Sequence, residues 1–241
     1  WNPDVIDNEA LEEVKKASVA YGIEITAIWG GWGGPKVWDF VQGPLTLGLV
    51  PKEYRAQRMD DMVKHSEYAL KLGVSDIVTH CGYIPENPCD ENYKSLVASL
   101  QYIVRIYQSR KQNFLFETGQ ETPITLKRIM DDIGLPNVGV NLDPANLLMY
   151  GKANPVDALD IIGPYVKGVH GKDGEYPTNG YQLGKEKPLG EGRVQYDLFI
   201  RKLKQIGYTG AITIEREISG EKQIEDIKKA KDLLDKYIAA E

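Results

Sequence analysis

The sequence predicts an α/β protein of the (β/α)8 barrel class, and three observations favour this fold. Short β-rich runs alternate with helical segments along the chain, which is typical of βαβ units and a parallel sheet. The chain has 241 residues, close to the roughly 250 residues of a single barrel of this class. No linker or low-complexity tract divides it, so residues 1–241 are predicted to form one domain.

The predicted strands are six β-rich runs, at 22–29, 75–83, 113–119, 137–144, 166–173 and 211–217. Helices are predicted around them, at 9–22, 51–73, 91–110, 122–134, 154–163, 195–207 and 220–239. The predicted helix at 51–73 has clear start and stop signals. It begins at Pro51 and ends at Gly73, the usual start and stop residues of a helix.

Successive residues of a strand point to opposite faces, so each strand has two alternating sets of side chains, or parities. In the predicted strands the polar residues occupy one parity. The other parity is mostly large and apolar, as expected for the face of a barrel strand that packs against helices. Lys167 is the exception in that apolar set, and its aliphatic stem can pack while its ammonium reaches water. On four strands the polar parity ends in an ionisable residue: Glu117, Asp143, His170 and Glu215.

These four residues are predicted to bind a metal ion. They lie at the carboxyl ends of strands, where α/β barrels build their active sites. Three carboxylates and one imidazole converging there would be strongly disfavoured unless a cation sat among them. An oxygen-rich set with one nitrogen suits Mn²⁺, Mg²⁺ or Co²⁺, and Zn²⁺ also fits. Each residue alone could be structural, but the coincidence of four favours a metal site.

The composition argues against several classes of function. The chain has 35 acidic and 29 basic residues and a net charge of −6, whereas nucleic acid and anionic membrane surfaces demand a basic footprint. No apolar run reaches the roughly 18 residues that cross a membrane. Cys81 and Cys89 could form a local disulfide, but free thiols are favoured. A cytoplasmic location is predicted, with a removed export signal and a homo-oligomer left open.

Several segments of the chain resemble one protein family. The segments FETGQET, VGVNLDPANLLMYG, VKGVHGKDG, PLGEG and GYTGAITIERE occur in this order. They are similar to segments of the sugar phosphate isomerase/epimerase proteins of the xylose isomerase-like TIM-barrel superfamily. The resemblance covers essentially the whole chain. It implies a divalent metal, usually Mn²⁺, bound by the four strand-end residues, with Glu217 as a less favoured rival of Glu215.

The resemblance also implies a reaction on a carbohydrate. Proton abstraction would give a metal-stabilised enediolate, with Glu117 and Glu215 as general base and general acid. Asn146 departs from several ketose epimerases, which carry a histidine there, and an amide does not shuttle protons at neutral pH. A metal-dependent lyase or dehydratase of an oxidised sugar or inosose is therefore the alternative.

Two further alternatives are less favoured. An apurinic endonuclease-like DNA repair enzyme needs many histidine ligands and a basic groove, whereas this chain has three histidines and is acidic. A non-catalytic sugar-binding barrel remains an option because a fold does not imply a function. The complete set of four residues argues against it.

Six residues are candidate substrate contacts, each with a structural alternative: His80, Trp29, Trp32, Asn146, Lys172 and Glu121. The two tryptophans can stack on a sugar face or anchor their glycine-rich segment to the barrel rim. The histidine can bind substrate, carry a proton or bond the backbone. The lysine can contact a substrate oxygen or lie at the surface, and the glutamate can simply favour a helix start.

Two more expectations concern the surroundings of the site. The polar, glycine-rich segment 173–192 follows the His170 strand and is predicted to be a lid or binding loop. His65 lies within a polar helix and is expected to be exposed.

The strand count predicts that part of the barrel precedes this sequence. A closed barrel has eight strands, and the six observed runs match the last six strands of the family. Residues 1–7 would then form the loop that leaves the second strand. About 30 to 45 residues, one β–α–β unit, are expected to be absent from this sequence.

Overall fold

The structure is a computed structural model that describes residues 7–240. Its helices and strands follow one another in chain order as α1 (Asn8–Tyr21), β1 (Ala27–Trp29), α2 (Gly43–Thr46), α3 (Lys52–Leu72), β2 (Asp76–Thr79), α4 (Glu91–Ser109), β3 (Asn113–Glu117), α5 (Pro123–Ile133), β4 (Val138–Leu142), α6 (Pro144–Met149), α7 (Pro155–Ile162), a 3₁₀ turn (Gly163–Tyr165), β5 (Val166–Gly171), β6 (Asp173–Gly174), β7 (Glu186–Lys187), α8 (Tyr196–Gln205), β8 (Ile212–Ile214) and α9 (Glu221–Ala239). Six strands form one parallel sheet in the order β1–β2–β3–β4–β5–β8.

The predicted α/β alternation is confirmed in residues 7–240. All six predicted strands and seven predicted helices occur, and the first strand begins at Ala27 rather than at residue 22. Two short helices, α2 and α6, and the antiparallel β6–β7 pair were not predicted. Residues 1–6 of the predicted N-terminal loop lie outside the described residues. The absent β–α–β unit and the single domain over residues 1–241 stay predictions.

The described chain divides into two compact units. The first comprises residues 7–37, Gly43–Phe116 and Ile129–Gly139. Its helix α4 shows why such segments form: Asp90 accepts the N–H of Asn92 and caps the helix. The buried residues of α4 recur every three or four positions and form one apolar stripe: Tyr93, Leu96, Leu100, Ile103, Val104 and Tyr107.

In the same unit, α3 buries a polar face. The expectation that His65 is exposed is wrong, because its exposed fraction is 0%. Arg58 is equally buried and donates to the carbonyl oxygens of Gly33, Gly48 and Pro35. Buried polar groups are tolerated when they are hydrogen-bonded. A helix with a polar inner face cannot be distinguished from an exposed one by its pattern of apolar residues.

The second unit comprises Trp38–Gln42, Glu117–Arg128 and residues 140–240. Its strand β5 contains a register shift that accounts for Lys167. Val140 pairs with Val166, but the next residue, Asn141, pairs with Gly168. Lys167 is therefore the extra residue of a bulge, and it is exposed. The exception in the apolar set is a local irregularity of the strand rather than a buried charge.

Asp173 anchors both ends of the segment 173–192. Its Oδ1 accepts the N–H groups of Gly174 and Val194, at 2.8 and 3.0 Å. Its Oδ2 accepts those of Gly190 and Gly192, at 2.9 and 3.1 Å. Burial raises the pKa of Asp173 while these four N–H groups act against the rise. The segment is thus tied at its base, and its role as a lid or binding loop stays a prediction.

Within residues 7–240, no helix combines the length and the apolar character needed to cross a membrane. The cytoplasmic location stays a prediction.

Candidate metal centre

The second unit brings four ionisable residues together. Glu117 ends β3, Asp143 follows β4, His170 lies near the end of β5 and Glu215 follows β8. One ligand atom from each lies within 4.8 Å of the others. The His170 Nδ1 atom lies 2.7 Å from Glu215 Oε2, 3.3 Å from Glu117 Oε1 and 3.5 Å from Asp143 Oδ2. We call these four residues the carboxylate–histidine cluster.

Hydrogen bonds with Thr118 and Asn146 fix the orientation of Asp143 toward the cluster. Its Oδ1 accepts the backbone N–H of Asn146 at 2.8 Å and caps α6, which begins at Pro144. The Thr118 hydroxyl donates to the carbonyl oxygen of Asp143 at 2.9 Å and accepts its N–H at 2.8 Å. With Oδ1 engaged in the cap, Oδ2 is the oxygen left for the cluster.

The electrostatics of the cluster are dominated by its carboxylates. Glu117 is 3% exposed and Asp143 0%. Burial by itself lowers the pKa of His170, but contacts with Asp143, Glu117 and Glu215 outweigh burial and raise that pKa to about 12. A positive charge is therefore strongly favoured at this point. It can be an imidazolium, or a cation bound by the neutral imidazole and the carboxylates.

The donor set fits a divalent cation. Asp143 Oδ2, His170 Nδ1 and Glu215 Oε2 are buried, and none makes a hydrogen bond of normal geometry. Buried polar atoms without such partners are rare in native proteins and are typical of ligand sites. Three carboxylates and one imidazole suit Mn²⁺, Mg²⁺ or Co²⁺, and also Zn²⁺. These residues can therefore hold a metal ion, whose identity the geometry leaves open.

Lys172 is buried beside the cluster and does not lie at the surface. Its exposed fraction is 2%, and its Nζ lies 3.3 Å from Glu215 Oε1 and 3.6 Å from Asp143 Oδ2. Burial lowers the pKa of Lys172, but the surrounding carboxylates outweigh this and raise it, so the ammonium keeps its charge. With a neutral imidazole, three carboxylates and this ammonium leave two negative charges, which match a divalent cation.

Glu217, the rival of Glu215, lies differently. Its side chain is 58% exposed and contacts Lys172 Nζ at 3.2 Å. The group of potential ligands contains Glu215, whose side chain is 29% exposed.

Gln120 and Glu121 are buried in the bend between β3 and α5. Glu121 is 3% exposed, and burial raises its pKa to about 8. Neither of its carboxyl oxygens makes a hydrogen bond of normal geometry, and the same holds for both polar atoms of the Gln120 side chain. Glu121 was predicted as a candidate contact from the sequence, whereas Gln120 was not. The adjacent glutamate was the only signal that could have found it.

Three of the candidate contacts, Trp29, Trp32 and His80, lie in the first unit. Trp29 and Trp32 have ring centroids 5.7 Å apart, and the Trp29 ring meets His80 edge-on at 6.2 Å. Trp32 is 1% exposed, with the Arg58 guanidinium 5.5 Å from its ring centroid. This burial favours the loop-anchoring interpretation for Trp32. Trp29 is half-buried and His80 is 5% exposed.

Comparison with known proteins identifies the family. The profile of a family described as Xylose isomerase-like TIM barrel matches residues 2–237. The chain belongs to this family. A curated relative, an uncharacterized protein of Methanocaldococcus jannaschii, is 32% identical over 184 residues. That match covers 71% of this chain and 59% of the relative, so this chain spans less than two thirds of the relative's length.

Solved structures agree with the family. A xylose isomerase domain protein from Planctomyces limnophilus has a TM-score of 0.90 and 34% identity, covering 98% of this chain and 84% of that one. A D-tagatose 3-epimerase-like protein has a TM-score of 0.73 and 24% identity, covering 96% and 83%. The first likeness supports both fold and family, and the second supports the fold.

Proposed function

We propose that this protein is a divalent-metal-dependent sugar isomerase or epimerase that abstracts a proton next to a carbonyl group. The convergence of Glu117, Asp143, His170 and Glu215 within 4.8 Å carries the proposal. This set supplies a cation site and two groups for acid–base chemistry at one place. Membership of the family and the likeness to an epimerase-like protein support a carbohydrate substrate.

Mn²⁺ is the proposed cation, with Mg²⁺, Co²⁺ and Zn²⁺ as alternatives. When bound, such a cation stabilises negative charge that develops on adjacent oxygens of a substrate. Asp143 and His170 would hold it together with the two glutamates.

Glu117 and Glu215 are the proposed general base and general acid. They come from different strands and lie 3.3 and 2.7 Å from the same His170 nitrogen. One carboxylate takes the proton from the carbon beside the carbonyl, and the other carboxyl group returns a proton. Return to the opposite face of that carbon inverts it. Return to the former carbonyl carbon, together with transfer of the neighbouring hydroxyl proton to the former carbonyl oxygen, isomerises the sugar. In both cases one proton leaves and one is added, so the composition is unchanged.

Other buried groups are proposed to bind the substrate. Lys172 holds a positive charge at the edge of the cluster and suits a substrate oxygen. Asn146 is 5% exposed, and its amide can donate to and accept from a hydroxyl. Burial raises the pKa of Glu121 to about 8, so its carboxyl group is protonated at neutral pH and can both donate to and accept from a hydroxyl. Trp29 and His80 stay proposed substrate contacts, whereas the burial of Trp32 favours its role as a loop anchor.

Deuterium exchange tests the proposal. The Mn²⁺-loaded protein is incubated in D₂O with a panel of ketoses, 3-oxo-sugars and inososes, and incorporation at carbon is followed by NMR. We expect exchange with the right sugar, and losses of at least about 100-fold in Glu117→Gln and Glu215→Gln. Glu225→Gln, an exposed residue of α9, is the matched control. Absence of exchange across the panel would contradict the proposal.

The same experiment addresses the lyase or dehydratase alternative. Asn146 favours this alternative, because it offers an amide where several ketose epimerases carry a histidine. Loss of water or carbon–carbon cleavage, in place of interconversion, would assign the protein to that class.

A further inference from the structure

The two ring nitrogens of His170 have different surroundings. Nδ1 faces the carboxylates, and its nearest contact is Glu215 Oε2 at 2.7 Å. Nε2 faces the carboxamide of Asn141, whose Nδ2 lies 3.0 Å away. A histidine that binds a metal through one nitrogen carries its proton on the other, and that N–H needs an acceptor. The group opposite Nε2 therefore influences which nitrogen is free to bind.

The bulge in β5 places Asn141 beside the ring. Because Lys167 is the extra residue, Asn141 pairs with Gly168, two residues before His170. A Cβ at position 168 would overlap Asn141 Oδ1, so glycine leaves the space that the carboxamide occupies. Asn141 is 5% exposed, which shields its contact with the imidazole from water.

The carboxamide of Asn141 can present either its nitrogen or its oxygen to the imidazole ring. A half-turn of the amide exchanges Nδ2 and Oδ1 without moving the rest of the side chain. Only the orientation with Oδ1 toward the ring pairs with an Nε2–H. That orientation leaves the Nδ1 lone pair directed at the three carboxylates, where the cation would lie.

We propose that Asn141 is a positioning residue of the metal centre. Its carboxamide oxygen accepts the Nε2–H of His170, which fixes Nδ1 as the nitrogen that faces the cation. Gly168 contributes to this arrangement because its lack of a side chain leaves space for the Asn141 amide. The inference rests on the cation site of the proposed function and is independent of the substrate and the reaction.

Metal affinity provides the first test. Binding of Mn²⁺ alone is measured by calorimetry for the wild type, Asn141→Leu and Asn141→Asp. Leucine has a similarly branched side chain but no acceptor, so affinity should fall by about 10- to 100-fold, the range seen when partners of ligating histidines are removed. Aspartate keeps an acceptor and should bind Mn²⁺ no more weakly than the wild type.

Asn137→Leu is the matched control. Asn137 is also a buried asparagine, and its Nδ2 donates to the carbonyl oxygens of Val104 and Gln112 at 2.9 Å each. We expect it to lose stability while its Mn²⁺ affinity stays within about threefold of the wild type, since Val104 and Gln112 are not part of the carboxylate–histidine cluster.

The tautomer of His170 provides a readout that a merely structural role would not move. The chain has three histidines, so long-range ¹H–¹⁵N spectra of the Zn²⁺-loaded protein can be assigned with single histidine variants. The wild type should show a protonated Nε2 and a metal-bound Nδ1, and Asn141→Leu should lose this single pattern. Wild-type affinity together with an unchanged tautomer in Asn141→Leu would overturn the inference.

Gly168→Ala keeps the inference testable if Asn141→Leu fails to fold. Its added Cβ displaces the amide, so a folded Gly168→Ala protein should bind Mn²⁺ more weakly, and unchanged affinity would contradict the inference. A wild-type protein that binds no divalent cation would overturn both this inference and the proposed metal centre. Mn²⁺ binding without exchange on any sugar would overturn only the proposed reaction.

Discussion

Two histidines of this protein, one buried and one partly buried, have pKa values displaced in opposite directions. His65, on α3, has Nε2 2.8 Å from the carbonyl oxygen of Gly31, and burial lowers its pKa to about 4. His170, in the carboxylate–histidine cluster, has a pKa raised to about 12, because its carboxylate neighbours outweigh burial. Burial opposes the positive charge in both cases. The difference therefore comes from the carboxylates.

This difference separates a structural histidine from a candidate functional one. The His65 ring lies against Gly30, where an added Cβ would be 3.2 Å from the ring, and it supports the tryptophan- and glycine-rich segment. Glu121 follows the same rule as His65, since burial keeps it neutral by raising its pKa to about 8. Burial keeps both of these groups neutral, whereas a group held charged despite burial indicates a site built for charge.

The largest expected effect contrasts His170→Ala with His65→Ala. Loss of His170 removes the only nitrogen of the cation site, so Mn²⁺-dependent deuterium exchange should fall at least about 10⁴-fold, or about 5.5 kcal/mol. His65→Ala should lower the free energy of unfolding by about 2–4 kcal/mol and leave exchange per folded molecule within about threefold. NMR exchange assays and urea unfolding measure the two quantities. Equal losses of exchange in both variants would remove the distinction.

Glu121 should make stability depend on pH. The folded protein holds this proton up to about pH 8, whereas an unfolded glutamate releases it near pH 4.5. Stability should therefore fall as pH rises between these values, by up to about 5 kcal/mol relative to Glu121→Gln, and level off above pH 8. Urea unfolding of both proteins from pH 5 to 9 checks this. Parallel curves would show that the carboxyl group is not buried in the way described.

His65 should make the free energy of unfolding depend on pH under acidic conditions. Its folded pKa of about 4 lies below the ordinary value of 6.5, so the unfolded chain takes up a proton first as pH falls. The wild type should lose up to about 3 kcal/mol relative to His65→Gln between pH 6.5 and 4, and none of this above pH 7. The measurement is the difference in unfolding free energy between the two proteins. A difference that does not change with pH would contradict it.

The smallest effect concerns stabilisation by the cation. At 100 times its dissociation constant, Mn²⁺ should stabilise the wild type by about 2.7 kcal/mol, or about 5–10 °C in Tm for a chain of this size. Thermal unfolding followed by circular dichroism measures this shift. His65→Gln should show the same shift and His170→Ala none. A shift that persists in His170→Ala would place the cation elsewhere.

Much of the fold could be predicted because its signals are local. The boundaries of α3 at Pro51 and Gly73 and the apolar stripe of α4 depend on residues a few positions apart. Helix α6 was missed because six residues are too few to show a period, although Asp143 and Pro144 form a recognisable helix start. The bulge at Lys167 was also missed, since a register shift depends on pairing with β4.

Strand parity and strand ends already specify four ionisable residues with a shared direction, because alternation along a strand is a local property of the backbone. Only the tertiary structure decided which atoms meet. It turned Nδ1 of His170 toward the carboxylates and Nε2 toward Asn141, and it buried Lys172 and His65. Burial and charged neighbours come from segments far apart in the chain. Their effect on a side chain therefore appears only once those segments are packed together.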